Sequence, residues 1–535
     1  MISLKEMLNN LFEKVFQNKN FCYLSLIIFF ALLSFFYSNI IDQRAITDSL
    51  IISDKIYYED KFNPFYLSQK NGYSALIFSL KFLIEFGIST KFLNFAILFF
   101  SLLFNAFGIY LISKSICKNN FFSLITSVII LTFQINFGDL DYPTMVISEH
   151  TNSMLSSAIV VFIFGLISNQ KISTALIISI FLISFHVLIG LWLTSILIFS
   201  IIFFQNEKIY SFFNSKKDII FLTIALIFLF LSFFYFQQSK ILNPYTYDQK
   251  SFDVYMEMWE LHRSNFFKIN YNYIILTFFL VIILYFMRNE KKLVFFINTL
   301  FLSIFLSFII YITYKLTIYE FLPNFLTDIF LKVIPSRFFL LHSVIGPAVI
   351  LSAFFYVINK FLHNNNIILL ILLLIVSHPV LFYEKYLNKV TSFHSSWNNP
   401  EPDNNFWNNI KNDNLKGKLI LTSVNSCKKT ILIARKPILI CVESLDMIPY
   451  QPKLVAPIKE IIEEVYDINF DNPVEKNHGG LWYDVSYKEQ FENRNVNEWH
   501  LLSKKYNLGA LVLPKNWNIN LDKTFVGAKY AYYKF

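Results

Sequence analysis

Residues 172–205 decide the class of fold, and they read ISTALIISIFLISFHVLIGLWLTSILIFSIIFFQ. This predominantly apolar stretch has 34 residues, whereas one helical crossing of a membrane takes about 20. It is therefore expected to break between His186 and Gly190, which leaves two shorter membrane helices. A chain with such a segment at its centre is expected to be a polytopic α-helical membrane protein.

Nine further apolar stretches are long enough to cross a membrane. Together with the two halves of 172–205 they predict about eleven membrane spans. A hydrophobic fraction of 55%, with 63 Phe among 535 residues, suits side chains that face lipid. The nine stretches lie near 21–41, 92–113, 121–137, 153–169, 219–237, 272–287, 293–315, 337–361 and 366–383.

The end of the chain is polar and has no long apolar stretch. We therefore divide the sequence into a transmembrane domain, residues 1–384, and a soluble domain, residues 385–535. Alternation and turn residues in the soluble domain predict a small α/β fold. Helices are expected at 401–412, 457–466 and 497–506, and strands at 418–422, 430–434, 438–442 and 510–514, with a strand pair near 525–535.

Lysine and arginine in the short loops set the predicted orientation, because cytoplasmic loops carry the excess of positive charge. Segment 73–87 is apolar but short, and its polar residues share one helical face, so it is expected to lie along the outer membrane surface. The N-terminus is then cytoplasmic, and the acidic loop 138–152 and the soluble domain are extracytoplasmic. If 73–87 crossed the bilayer instead, the acidic loop would face the cytoplasm.

Charge and cysteine content narrow the function classes. The net charge of +9 comes from lysines in short loops and in the mixed-charge tail, without a basic stripe interleaved with aromatics, so nucleic acid is not an expected partner. The four cysteines lack metal-binding spacing. Cys427 and Cys441 can pair if the soluble domain faces an oxidising compartment.

The first outer loop, 42–72, is rich in acidic residues. Asp42 directly follows the first span, at the predicted membrane–water boundary, and Asp48 lies six residues further on. A carboxylate at that boundary can act as a general base towards a hydroxyl group while a lipid-anchored molecule approaches from the side. The alternative is that Asp42 only ends the helix and faces water.

Loop 138–152 holds Asp139, Asp141 and Glu149 and has no lysine or arginine. Carboxylate oxygens at this spacing can bind a hard divalent cation such as Mg²⁺ or Mn²⁺. The alternative for the two aspartates is an ordinary solvated turn.

Cations beside aromatic residues form a third group of candidates. Loop 238–271 contains His262 and Arg263 near Trp259, and Arg337 opens a long apolar span. Such groups at a membrane surface suit a phosphate that is attached to a lipid tail. The alternative for Arg337 is snorkelling to the interface, and the alternative for His186 is hydrogen-bonded packing between two half-spans.

The layout resembles the GT-C superfamily of membrane glycosyltransferases, which take sugars from polyprenyl-phosphate carriers. The features that match are a cytoplasmic N-terminus, one span, a long acidic outer loop with surface helices (42–91), further spans and an outer α/β domain. The resemblance implies an inverting hexosyl or pentosyl transferase in a bacterial inner membrane. Its partners would be the lipid bilayer, a polyprenyl-phosphate sugar donor and a glycan, lipid or protein acceptor.

The resemblance also implies roles for single residues. Asp42 or Asp48 takes the place of the catalytic base that such enzymes carry early in the first outer loop. Asp139 and Asp141 look like the second-loop acidic pair that binds a metal in some members, and Arg337 looks like the arginine before a late span.

Two functions outside this class remain open. A transporter or flippase for a lipid-linked glycan would use the same cations, but it predicts more ionisable residues inside the spans than this chain offers. A scaffold that recruits partners through its mixed-charge tail is the other alternative.

Overall fold

The computed structural model describes residues 18–39, 41–72, 74–135, 137, 146–205, 215–240, 243–259, 271–318, 335–361, 403–473 and 484–535. The chain forms two compact units. The helical unit contains Met1–Gln43, Lys91–Leu231 and Phe267–Ser395. The mixed unit contains Arg44–Thr90, Ser232–Phe266 and Ser396–Phe535.

The helices and strands follow one another in this order. The helices are α1 (Lys19–Ser38), α2 (Arg44–Ile52), α3 (Pro64–Lys70), α4 (Ala75–Glu85), α5 (Thr90–Cys117), α6 (Asn120–Thr132), α7 (Thr151–Ser168), α8 (Ile172–Phe185), α9 (Val187–Phe204), α10 (Lys216–Lys240), α11 (Gln249–Val254), α12 (Tyr271–Met287), α13 (Val294–Ile318), α14 (Leu340–Phe361), α15 (Asn404–Asn412), α16 (Val424–Leu432), α17 (Val455–Tyr466), α18 (Lys488–Asn493) and α19 (Val496–Lys505). The strands are β1 (Leu419–Thr422), β2 (Leu508–Pro514), β3 (Lys523–Val526) and β4 (Tyr530–Lys534).

Within the described ranges, 7 helices are long and apolar enough to cross a membrane, namely α1, α5, α7, α9, α10, α13 and α14. The apolar helices α6, α8 and α12 are shorter. The predicted span 366–383 lies outside the described residues, so the number of eleven spans stays a prediction. The chain is thus predominantly helical, with several helices of membrane type and a small sheet near its C-terminus.

His186 separates α8 from α9, as predicted. Its backbone is extended, with φ −146° and ψ 95°, and its ring Nδ1 accepts a long hydrogen bond of 3.5 Å from the Ile189 N–H. Gly190 allows the two arms to meet, because a Cβ atom there would lie only 2.4 Å from the backbone nitrogen of Ile183. The stretch 172–205 is therefore a helical hairpin with backbone contact between its arms.

A second close backbone contact joins α5 to α7. A Cβ atom on Gly108 would lie 2.5 Å from the carbonyl carbon of Val161, and one on Gly165 would lie 2.7 Å from the carbonyl oxygen of Gly108. Small residues at a helix crossing let the backbones approach, which strengthens packing where lipid supplies no hydrophobic drive. The chain has only 12 Gly, and two of them serve this crossing.

The short helix α2 lies in the interior of the mixed unit. Every residue of α2 after Arg44 is buried, and the helix packs against α3, α4 and α16. Ser49 Oγ donates a 3.0 Å hydrogen bond to the carbonyl of Ile77 in α4.

Helix α4 has 11 residues and is about 16 Å long, much less than the roughly 30 Å of a hydrocarbon core. Phe82 and Phe86 are exposed on its other face.

The C-terminal segment contains a four-stranded sheet in the order β1-β2-β4-β3. The pair β1–β2 is parallel, and the pairs β2–β4 and β3–β4 are antiparallel. The predicted strands 418–422 and 510–514 and the terminal pair are confirmed. The other two predicted strands are wrong: 430–434 overlaps the end of α16, and 438–442 forms only an isolated bridge from Ile438 to Ile420. Cys427 and Ile431 recur at helical spacing and are both buried, so packing of one helix face outweighs the β-branched composition.

Hydrogen bonds connect the three segments of the mixed unit, and a disulfide closes a loop within the third. Cys427 in α16 forms a disulfide with Cys441, with Cα atoms 6.0 Å apart. Trp259 Nε1 donates to the carbonyl of Phe470 at 2.8 Å, and Asn63 Nδ2 donates to the carbonyl of Leu439 at 3.0 Å. The first outer loop and the segment after α10 thus belong to the same compact unit as the C-terminal sheet.

Candidate functional site

Asp42 lies just beyond the end of α1, and its side chain is exposed. The following residue, Gln43, is completely buried. An exposed carboxylate is therefore followed at once by a residue that is buried inside the helical unit.

The buried side chain of Asn94 in α5 holds the chain between Ser38 and Gln43 in place through hydrogen bonds. Its Oδ1 accepts a 3.1 Å hydrogen bond from the Gln43 N–H. Its Nδ2 donates to the carbonyls of Ser38 and Ile41, at 2.9 Å and 2.8 Å. Asn94 thereby satisfies backbone groups on both sides of the end of α1, which a buried polar group requires.

Gln43 extends the same network to the loop before α7. Its Nε2 donates to the carbonyl of Ser148 at 2.8 Å, and its Oε1 accepts from Thr151 Oγ1 at 2.9 Å. We call Gln43, Asn94 and Thr151 the polar clamp. All three are buried. Asp42 is next in sequence to Gln43, and Glu149 is next to Ser148, so the hydrogen bond between Gln43 and Ser148 joins the two short segments that carry these carboxylates. Glu149 is exposed.

The predicted metal site lies mostly beyond what the structure describes. Asp139 and Asp141 lie outside the described residues. Within the described ranges, no group of three or more His, Cys, Asp or Glu side chains is arranged to hold a metal ion. On one side of the undescribed segment, the Phe137 N–H donates to the carbonyl of Ser343 at 3.3 Å. The divalent cation therefore stays a prediction.

Asp48, the second predicted base, lies in a different environment. It is only 7% exposed, within α2 of the mixed unit. One turn earlier, Arg44 Nη1 forms an ion pair of 2.8 Å with Asp446 Oδ2. Of the two predicted bases, Asp42 is therefore the one whose carboxylate is exposed.

Arg337 lies in a short 3₁₀ helix, Pro335–Phe339, directly before α14, and it is partly exposed. It interacts electrostatically with the ring of His186. The neighbouring carbonyl of Phe338 accepts hydrogen bonds from Trp192 Nε1 at 3.2 Å and from Ser307 Oγ at 2.8 Å. Arg337 and His186, which the sequence singled out separately, are thus near enough for the charge of Arg337 to act on the imidazole. The other predicted phosphate ligands, His262 and Arg263, lie outside the described residues.

A buried polar group of Tyr273, His342 and Ser343 also lies in the helical unit. The hydroxyl of Tyr273 is 2.5 Å from His342 Nε2, and Ser343 Oγ donates to that hydroxyl at 3.1 Å. His342 is fully buried, and among the described residues its Nδ1 has no hydrogen-bond partner. The sequence predictions did not include this group. A histidine inside an apolar span is the pattern that points to it, because ionisable groups within a membrane are functional candidates.

Comparison with protein-family models, with curated proteins and with solved structures finds no match.

Proposed function

We propose that the protein is a membrane glycosyltransferase that moves a sugar from a polyprenyl-phosphate carrier to an acceptor on the outer face of a bacterial inner membrane. The polar clamp is the observation that carries the proposal. It fixes the chain on both sides of an exposed carboxylate, Asp42, at the end of an apolar helix. A lipid-linked sugar must also lie at such a boundary, because its tail stays in the bilayer.

In the proposed reaction, each candidate residue has one role. Asp42 takes the proton from the acceptor hydroxyl, whose oxygen attacks the anomeric carbon of the donor sugar with inversion. The bond from that carbon to the phosphate oxygen breaks, and its electron pair leaves with the carrier phosphate. Arg337 stabilises the charge that develops on this phosphate. A Mg²⁺ or Mn²⁺ ion held by Asp139, Asp141 and Glu149 would stabilise the same charge.

Counting helices between segments of the mixed unit supports eleven spans. Arg44–Thr90, Ser232–Phe266 and Ser396–Phe535 pack as one unit, so they belong on one side of the membrane. Six apolar helices, α5 to α10, connect the first segment to the second, which is an even number of crossings. Between the second and third segments, the described residues contain three apolar helices, α12 to α14. An even number of crossings there takes a fourth span, and the predicted span 366–383, outside the described residues, is the candidate for it.

Contacts within the helical unit support the same topology. The hydrogen bond between Gln43 and Ser148 joins the loops after α1 and before α7, which therefore share a side. Two crossings, α5 and α6, separate those loops, whereas a membrane-spanning 73–87 would make three. Lys118, in the loop between α5 and α6, and Glu290, in the loop between α12 and α13, form an ion pair of 3.1 Å. The same topology places both of these loops in the cytoplasm. The disulfide in the mixed unit favours an oxidising, extracytoplasmic location.

Replacement of Asp42 tests the proposal. In membranes with matched expression, Asp42→Asn should lower glycan formation by about 10²–10⁴-fold, which is the usual contribution of a general base. Asp522→Asn, a change to another exposed aspartate, should have little effect. Full activity of Asp42→Asn and of the double variant with Asp48→Asn would exclude this loop as the catalytic centre. Arg337→Ala should raise the apparent KM more than it lowers turnover.

Transport of a lipid-linked glycan is the second candidate, and the buried Tyr273–His342 pair favours it. In proteoliposomes that contain a fluorescent polyprenyl-phosphate sugar, a flippase would move the lipid between leaflets without an acceptor. That movement would depend on His342 and would be insensitive to Asp42→Asn. Product formation that depends on Asp42, without movement of the lipid, would instead support the transferase.

A further inference from the structure

The mixed unit has a group of exposed aromatic side chains that the proposed reaction does not use. Tyr57 is 61% exposed, Phe62 is 55% exposed and Tyr247 is 45% exposed. Tyr245 joins the two chain segments, because its hydroxyl donates a 2.7 Å hydrogen bond to the carbonyl of Phe62. We call these four residues the aromatic platform. Single exposed apolar side chains are common, whereas several on two segments that a hydrogen bond joins make a candidate binding surface.

Lys61 holds one edge of the aromatic platform in place. Its Nζ lies 5.4 Å from the ring centre of Tyr57 and 4.8 Å from that of the buried Tyr66. The same Nζ forms an ion pair of 3.0 Å with Asp54 Oδ1. Cation–π contacts and an ion pair together restrict the Tyr57 ring before a ligand binds, which lowers the entropy cost of binding.

The charges around the aromatic platform narrow the class of ligand. Burial and the negative charges of Asp60 and Glu460 raise the pKa of Tyr245 to about 12, so its hydroxyl stays neutral at physiological pH. Asp54 is paired with Lys61 at 3.0 Å and Glu460 with Lys505 at 2.7 Å. These charges nearly cancel and leave no excess of positive charge to attract a phosphate or an anionic lipid head group. Surfaces that lie on membranes are instead rich in lysine and arginine. Aromatic faces beside carboxylates suit an uncharged ligand with many hydroxyl groups.

We propose that the aromatic platform binds the acceptor of the reaction, and that this acceptor is a glycan of neutral sugars. The C–H faces of sugar rings stack on Tyr57 and Phe62, and the carboxylates of Asp54 and Asp60 accept hydrogen bonds from sugar hydroxyls. This assignment of the acceptor rests on the proposed function, whereas binding of the glycan itself does not require turnover.

Binding of soluble oligosaccharides to the full-length protein in nanodiscs tests the assignment. We choose maltohexaose and chitohexaose as neutral probes, with calorimetry or saturation-transfer NMR as the readout. At least one probe should bind, and the double variant Tyr57→Ala/Phe62→Ala should bind it at least tenfold more weakly. Leu501→Ala, which removes a side chain that is 68% exposed elsewhere in the mixed unit, is the matched control and should bind like the wild type. Absence of binding to both probes, or equal loss in the control, would overturn the proposal.

Two further measurements separate this proposal from its alternatives. A nitroxide attached through Tyr57→Cys should collide with a nickel chelate in the aqueous phase. If the nitroxide is protected from the chelate and accessible to dissolved oxygen, the bilayer covers this surface, which would refute glycan binding. In the transferase assay, Tyr57→Ala/Phe62→Ala should raise the KM for the acceptor with little change in kcat. If the variant transfers sugar with an unchanged acceptor KM, the platform is not the acceptor site, but the proposed transferase function stands. If the protein binds oligosaccharides through the platform but transfers no sugar, glycan binding stands and the transferase function is refuted.

Discussion

Replacement of Asn94 by alanine should loosen the chain around Asp42. The Gln43 N–H loses its acceptor inside the helical unit, and a buried donor without a partner costs about 1–3 kcal/mol. The carbonyls of Ser38 and Ile41 belong to partly exposed residues and can bind water, so each lost bond costs about 0.5–1.5 kcal/mol. A total of about 3 kcal/mol corresponds to about a hundredfold change in a local opening equilibrium.

Hydrogen exchange followed by mass spectrometry measures this opening directly. In Asn94→Ala, amides of residues 41–47 and 146–151 should exchange about 10²-fold faster, because local opening controls exchange at such sites. Turnover should fall as well, since a displacement of about 1 Å at a reacting group can cost up to about 10²-fold.

Asn105→Ala provides a matched control for this experiment. Asn105 lies in the same helix and is buried to the same degree as Asn94, at 4% exposure. Its Nδ2 donates to the carbonyl of Ser101 within α5, so its loss should leave exchange at 41–47 and 146–151 unchanged. Equal exchange in the two variants would refute the reasoning, because burial alone, and not the clamp, would then account for the effect.

Two further predictions concern stability. Burial raises the pKa of Asp413, but hydrogen bonds from partners such as Lys534 outweigh burial, so that the net shift is downward. The carboxylate therefore stabilises the fold at any pH above the unfolded pKa of about 3.9. This contribution is lost as the pH falls through the folded pKa. Thermal unfolding of Asp413→Asn should therefore change less than that of the wild type between pH 6 and pH 3. Gly165→Ala should destabilise the α5–α7 crossing by about 1–3 kcal/mol, as overpacking does, and the amount of monodisperse protein in size-exclusion chromatography should fall. Ser157→Ala, in the same helix, is the control and should not lower it. If both variants elute like the wild type, the close contact of Gly165 with Gly108 is contradicted.

The sequence predicts the helical unit well, because apolar length is a strong and local signal. The break near His186 could be predicted since 34 residues exceed one crossing, and since the polar His186 and the poor helix former Gly190 lie close together near its middle. The observed helices α1, α5, α7, α10, α13 and α14 coincide with predicted spans to within several residues. What the apolar pattern cannot predict is which helices touch, as at Gly108 and Gly165.

In the soluble segment, prediction failed where local propensity and packing disagree. Thr430 and Ile431 are β-branched and favour a strand, yet they end a helix whose face buries Cys427 and Ile431. Ile438 reaches the sheet only through a single bridge. Its own N–H and carbonyl are bonded to the Tyr58 hydroxyl, and the carbonyl of Leu439 accepts from Asn63. Burial of one helix face therefore decides this region.

The candidate site shows the same limit more sharply. Asp42 could be identified from its place after an apolar span, but nothing in the sequence connects it to Asn94 or Thr151, which lie about 50 and 110 residues away and must be brought near by helix packing. A polar residue within an apolar span marks a position where a buried hydrogen bond is needed, although it does not name the partner. Asn94 and Asn105 look alike by that criterion, and only their contacts differ: one asparagine bonds its own helix, and the other bonds the backbone beside the proposed base. Which asparagine holds the chain beside the proposed base, and which bonds only its own helix, is therefore a property of the fold.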